Sequence, residues 1–85
     1  LGQRAGLFDR HEIALLDLLL TKPGTVYSRE TILSAVWGDE IDPATNLVEV
    51  YIGKLRRKID REGERPLIET LRGRGYRMAA DEAAE

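Results

Sequence analysis

Val50, Lys54, Arg57 and Arg61 recur at intervals of three and four in the stretch NLVEVYIGKLRRKIDR, residues 46–61. On a helix that spacing stacks all four on one side, so three cations surround a single valine where water is expected. Such a face suits an anionic partner that also offers an apolar contact. On the opposite side, Val48, Ile52, Leu55 and Ile59 fall within about 60° of one another and form a stripe that must face a core. Gly53, between the two faces, costs a helix interior roughly 0.5–1 kcal/mol, and a backbone passing close to a ligand is one reason to keep it there.

Other chemistries find little support. The chain has no cysteine, which removes disulfides, thiolate metal sites and thiol nucleophiles. Its one histidine, His11, stands at a helix start beside Asp9 and Glu12 and reads as a solvated first-turn residue rather than a ligand or general base. No serine or threonine has a plausible triad partner, and GRG at 73–75 lacks the longer glycine pattern of a nucleotide fingerprint. The reading is therefore a binding protein, not an enzyme, with no cofactor and no metal.

The net charge of −2 would argue against a polyanion if it were evenly spread. Residues 1–45 carry four Lys/Arg against seven Asp/Glu, residues 46–78 nine against five, and residues 79–85 three acids. A basic face on an otherwise acidic body follows. Eighty-five residues with 42% apolar content make one small domain with a single core. The longest apolar run, IALLDLLL, is interrupted by Asp17 and far too short to span a bilayer, and the first residues lack the pattern of a signal peptide. A soluble, cytoplasmic chain with no membrane partner is expected.

The elements that would position the basic face are legible in order. DRHE at 9–12 has the form of a capping box, so a first helix starts there, runs through IALLDLLLTK and stops at Pro23 and Gly24. Its leucines at 15, 16, 18, 19 and 20 make it apolar on most sides, and other elements should enclose it. TVYS is a short β-prone stretch, after which Ser28 caps a second helix, RETILSAVW, that turns Ile32, Leu33 and Val36 inward and ends at Gly38. The acidic stretch GDEIDPAT is a loop. Asp42, with Pro43 in the first turn, or Thr45 caps the third helix, residues 46–60. LIETLR and YRMA are strand-like and joined by GRG, most simply as a hairpin. The fold class is α+β: three helices, a short strand after the first, and a C-terminal β-hairpin wing.

The segments LLDLLLTKPGTVYSRETILSAVWG, VEVYIGKLRRKI and PLIETLRGRGYRM resemble, in order and spacing, the effector domain of OmpR/PhoB-type response regulators. The resemblance covers residues 8–78. It implies a winged helix-turn-helix that binds double-stranded DNA, with the helix 46–60 in the major groove and the wing 67–78 at the minor groove. Thymine methyls would then meet Val50, and Lys54 and Arg57 would donate to guanine edges or phosphates.

Position by position, the resemblance assigns phosphate contacts to Arg29 and to the indole N–H of Trp37. It places Asn46, Val50, Tyr51 and Lys54 on the outer face of the recognition helix and Arg72 on the wing. Arg57, Lys58 and Arg74 complete the expected DNA-binding set. Arg56 projects toward a flank and should act within the molecule, and Tyr76 belongs to the core. The loop 38–45, with Asp39, Glu40 and Asp42, matches a connection that faces RNA polymerase in the family. A second protomer is expected head to tail on a direct-repeat operator.

DRHE replaces a Thr-Pro-Thr-Glu pattern, and Tyr51 and Gly53 stand where histidine and a longer polar residue are common. A phosphoacceptor receiver domain and most of an N-terminal sheet are expected outside these 85 residues, so the chain reads as a fragment with a core at 8–78 and a tail at 79–85. The alternative reading is a winged-helix protein-interaction module. Such modules tend to lose the outer cations that this chain concentrates at Lys54, Arg57, Lys58, Arg61, Arg72 and Arg74.

Overall fold

A computed structural model describes residues 8–80; residues 81–85 of the expected tail, and the short stretch before the first helix, lie outside the described residues. Helices α1 (Arg10–Thr21), α2 (Arg29–Trp37) and α3 (Leu47–Ile59) are followed by strands β1 (Ile68–Leu71) and β2 (Gly75–Met78). Each helix contributes its apolar stripe to one core: Leu15 and Leu19, Ile32 and Leu33, and Val48, Ile52 and Leu55, closed by Ile68 and Met78 from the hairpin. The period expected for α3 is therefore realised, with Ile59 packed at the margin of the core.

Local signals fix the helix ends. Asp9 accepts from the Glu12 amide at 2.8 Å and Glu12 accepts from the Asp9 amide at 2.8 Å, a complete capping box. Ser28 accepts from the Thr31 amide at 3.1 Å, and Gly38, at φ 96°, ends α2 where a side chain would be strained. The start of α3 departs from expectation. Its N-cap is Asn46, whose side chain makes no capping bond, and neither Asp42 nor Thr45 caps it. Asp42 instead folds the loop on itself, accepting from the Ala44 amide at 2.9 Å through its side chain and from the Thr45 amide at 3.0 Å through its carbonyl. An aspartate that hydrogen-bonds two residues ahead competes with capping a helix further on.

The β-prone stretch after α1 shrinks to one bridging residue, Tyr27, because Ser28 already turns the chain into α2. Tyr27 and Tyr76 exchange both backbone bonds, at 2.8 and 3.0 Å. Gly75 permits this approach: a Cβ there would overlap the Tyr27 carbonyl. The hairpin itself is antiparallel, pairing Ile68 with Met78 and Leu71 with Gly75 around a turn of Arg72, Gly73 and Arg74.

Helix α1 is also less enclosed than its leucines imply. Leu16 and Leu18 are half-buried, while Ile13 and Leu20 are 54% and 51% exposed, because α2, α3 and the hairpin cover only the side that carries Leu15 and Leu19. Phe8, Ile13, Leu16 and Leu20 line a shallow apolar groove on the other side.

Glu12, at 1% exposure, is the buried charged residue of this core. Besides the Asp9 amide, its two carboxylate oxygens each accept from Lys58 Nζ at 2.8 Å, joining α1 to α3. Isolated burial of a carboxylate costs several kcal/mol, so the partners are required rather than ornamental. Lys58→Met, which keeps the aliphatic stem, should lower unfolding free energy by about 3 kcal/mol because it strands the Glu12 charge. Glu12→Leu combined with Lys58→Met should regain most of that loss, leaving about 1 kcal/mol for the missing half of the cap. Urea melts of parent, single and double variants followed by circular dichroism would check both values; equal losses in the single and double variants would contradict the assignment.

Candidate nucleic-acid interface

Helix α3 is gripped along both flanks. On the α1 side, Lys58 binds Glu12 and the Tyr51 hydroxyl donates to Asp9 Oδ2 at 3.1 Å. On the other side, Glu49 pairs with Arg29 of α2 at 2.6 Å, and Arg56 donates to the Ile68 carbonyl at 2.8 Å and the Thr70 hydroxyl at 2.7 Å. Arg56 thus has the intramolecular role its flank position predicted, although among the described residues its buried Nε has no hydrogen-bond partner. Arg29 also donates to the Pro43 carbonyl at 2.8 Å and to the Thr45 carbonyl, so one guanidinium ties the start of α2, the loop before α3 and the first turn of α3 together. A rigid planar fork can serve three elements at once; a lysine there could not.

These bonds shift the titration of their members. The hydrogen bond from Arg29 holds the Glu49 carboxyl below its usual 4.5, and Glu49 in turn raises Arg29. A carboxyl lowered in the folded state stabilises fully above its unfolded value, and that contribution is lost as pH falls through the lowered folded value. Asp9 behaves alike: the Glu12 amide, chiefly, holds it below its usual 3.8. Burial, and then the bond to Asp9, raises the Tyr51 phenol.

Between the gripped flanks lies the outer face. Asn46, Val50 and Arg57 are exposed there, and neither Asn46 nor Arg57 makes a side-chain hydrogen bond or ion pair among the described residues. Lys54 lies with Nζ 4.6 Å from the Tyr51 ring centroid, a cation–π contact that orients the ammonium without neutralising it. At Gly53 a Cβ would meet Arg57 Nη1 at 3.7 Å, an ordinary contact, so the packing of the domain does not demand glycine there. Arg72 and Arg74 stand exposed on the hairpin turn, and among the described residues their side chains have no acid partner. With Arg29 they line a shallow groove between α2 and the turn.

Several residues expected at the interface also have partners within the domain. Lys58 turns to Glu12, Arg29 to Glu49 and two carbonyls, and Tyr51 to Asp9. In each case an acid on a neighbouring element lies within reach, and pairing relieves two partly desolvated charges or polar groups. Arg61 falls beyond the end of α3 and does not extend its face. In the loop, Asp39 accepts from the Ser34 hydroxyl and Asp42 closes its own turn, while Asp39, Glu40 and Asp42 all remain exposed.

The sequence reading missed His11. It is half-buried and stacked on Trp37, with ring centroids 5.3 Å apart and planes 21° from parallel, and Tyr51 closes the cluster edge-on at 5.9 Å from His11 and 5.1 Å from Trp37. Residues 26 and 40 positions apart leave no periodic signal of such a cluster. Only the packing of α1 against α2 and α3 creates it.

Comparison with known proteins agrees with this architecture. A family model described as "Transcriptional regulatory protein, C terminal" matches residues 3–78. Response regulator MprA of Mycobacterium avium is 47% identical over 75 residues, which are 88% of this chain and 33% of that protein; MprA of Mycobacterium tuberculosis matches equally. The chain therefore spans about a third of the length of these relatives. Among solved structures, the DNA-binding domain of CpxR from E. coli superimposes with a TM-score of 0.74 at 39% identity, covering 86% of this chain and 72% of that one. The RstA DNA-binding domain of Klebsiella pneumoniae, in complex with the RstA box, gives 0.72 at 30% identity over 85% and 72% of the two chains. Three helices with a C-terminal hairpin, a gripped third helix and a match over nearly the whole chain lead to one assignment: this chain belongs to the family of C-terminal winged-helix domains of OmpR/PhoB-type transcriptional regulators.

Proposed function

We propose that this chain is the effector domain of a two-component response regulator and binds specific double-stranded DNA sequences to regulate transcription. The observation that carries the reading is the division of labour on α3: its polar flanks are spent on internal bonds while Asn46, Val50, Lys54 and Arg57 face outward. A helix is about 10–12 Å across with its side chains, and a major groove about 12 Å wide admits one. Arg72 and Arg74 at the wing tip would meet the neighbouring minor groove or its phosphates. The RstA DNA-binding domain, similar in fold and solved in complex with the RstA box, supports DNA as the partner. On this reading the domain acts in the cytoplasm, with the DNA. Among the described residues no helix is long and apolar enough to cross a membrane.

The loop 38–45 would face RNA polymerase, with Asp39, Glu40 and Asp42 as an acidic surface, and a second copy would bind head to tail on direct repeats. A direct repeat needs both recognition helices on one side of the duplex, so consecutive half-sites lie about one turn, 10–10.5 base pairs, apart.

Lys54→Ala should relax discrimination at particular base pairs, at about 1–3 kcal/mol each, whereas Arg72→Ala should weaken binding evenly across sequences. Binding curves on a selected operator and its scrambled version would test this, and two folded variants that bind like the parent would remove the assignment. Neutralising the loop as Asp39→Asn, Glu40→Gln and Asp42→Asn should lower transcription in the intact regulator while operator affinity stays constant; a parallel fall in both would count against a polymerase contact. The free chain should sediment as a monomer and bind a two-repeat duplex with modest cooperativity that vanishes when roughly half a turn is inserted between the repeats. Cooperativity that survives the insertion would contradict the head-to-tail arrangement.

A further inference from the structure

Among the described residues neither imidazole nitrogen of His11 nor the indole nitrogen of Trp37 has an intramolecular hydrogen bond, although both rings are half-buried and lie in one stack. The acids around His11 are already used. Asp9 accepts from the Glu12 amide and the Tyr51 hydroxyl, and Glu12 from the Asp9 amide and Lys58. The groups facing it from α3 are Tyr51, with Lys54 above that ring, and from α2 the uncharged Trp37. His11 also sits in the first turn of α1, whose free amides give that end a positive potential. An anion arriving at the stack would favour a proton on the imidazole.

We infer that His11 is a further DNA-binding residue, which together with Trp37 forms a phosphate clamp that takes up a proton as the duplex docks. This rests on the DNA-binding reading above and deepens it. Both rings carry N–H donors in the ring plane, and stacking gathers those donors into one cluster, suited to one backbone phosphate or two adjacent ones. Trp37 contributes a neutral donor and His11 a donor whose charge depends on pH in the neutral range. Tyr51, held by Asp9, sets the far wall of the cluster and couples it to α3, so the clamp and the recognition face are fixed relative to each other. Lys54 would then add its charge near the same stretch of backbone.

The sign of the linkage is definite. A cation that is stabilised only in the complex strengthens binding at low pH, and that gain disappears as pH rises above the range where the complexed imidazole holds its proton. The chain has one histidine and one tryptophan, so both reporters are unambiguous.

The test uses the whole chain and a labelled duplex bearing a site selected by the parent from a random pool, at about pH 6 and about pH 8, on either side of the histidine range. The parent should bind about fivefold to tenfold more tightly at the lower pH, the scale of one charge-assisted hydrogen bond. Its log K against log salt slope should also steepen there by about 0.9, one more phosphate neutralised. His11→Phe, which keeps the stack but removes donor and charge, should bind equally at both values and more weakly than the parent at the lower one. His11→Gln should likewise lose the pH dependence and the steeper slope. Imidazole resonances of the parent should titrate at higher pH with DNA than without it. A parent with no pH dependence, or a His11→Phe variant that retains it, overturns the clamp while leaving DNA binding intact. Absence of duplex binding at both pH values would instead overturn the underlying function.

Discussion

Glu12 holds the arrangement together. A carboxylate at 1% exposure must be fully satisfied, and its two oxygens do this by closing the cap of α1 and binding Lys58 of α3. One residue therefore determines where α1 begins and how α3 lies across it. The geometry is strict, because the Asp9 amide fixes the carboxylate from one side and the Lys58 ammonium from the other. Asp9, the partner in the cap, also receives Tyr51, so the start of α1 holds α3 at two places seven residues apart, about two turns of helix.

The opposite flank uses a different device. Arg29 reaches Glu49 and two loop carbonyls, and Arg56 reaches the first strand of the hairpin, so α2, the loop before α3 and the wing are all tied to the flank of α3. Both arginines span to acceptors 12–20 residues away in sequence, a reach suited to a long side chain with several donors. The consequence for function is preorganisation. A recognition helix fixed on both sides loses little conformational freedom on binding, and its unpaired outer face needs no rearrangement to meet a groove.

The capping box that starts α1 also brings His11 against Trp37. Replacing Thr-Pro-Thr-Glu by Asp-Arg-His-Glu keeps the cap, since aspartate accepts as threonine does, and leaves the residue before Glu12 free to vary. In this chain that residue is an imidazole, placed by the cap at the edge of the α2–α3 cluster. Gly75 shows the same economy of local choice: one missing Cβ lets Tyr27 and Tyr76 pair and docks the hairpin beside the start of α2.

What the sequence by itself determined is what depends on neighbours along the chain. The apolar comb of Val48, Ile52 and Leu55, the reciprocal cap of Asp9 and Glu12, the Ser28 cap, the Gly38 stop and the GRG hairpin are short-range patterns, and each is present. The basic outer face at Lys54 and Arg57 followed from the same period. Only tertiary structure decided which cations remain outside. Lys58, 46 residues from Glu12, and Arg29, 20 from Glu49, belong to the interior network because an acid on another element lies opposite each, and no spacing rule reveals that. The exposure of Ile13 and Leu20 and the stack of His11 on Trp37 have the same origin. A helix wheel identifies the faces of one helix, but burial and pairing are properties of the contacts between helices.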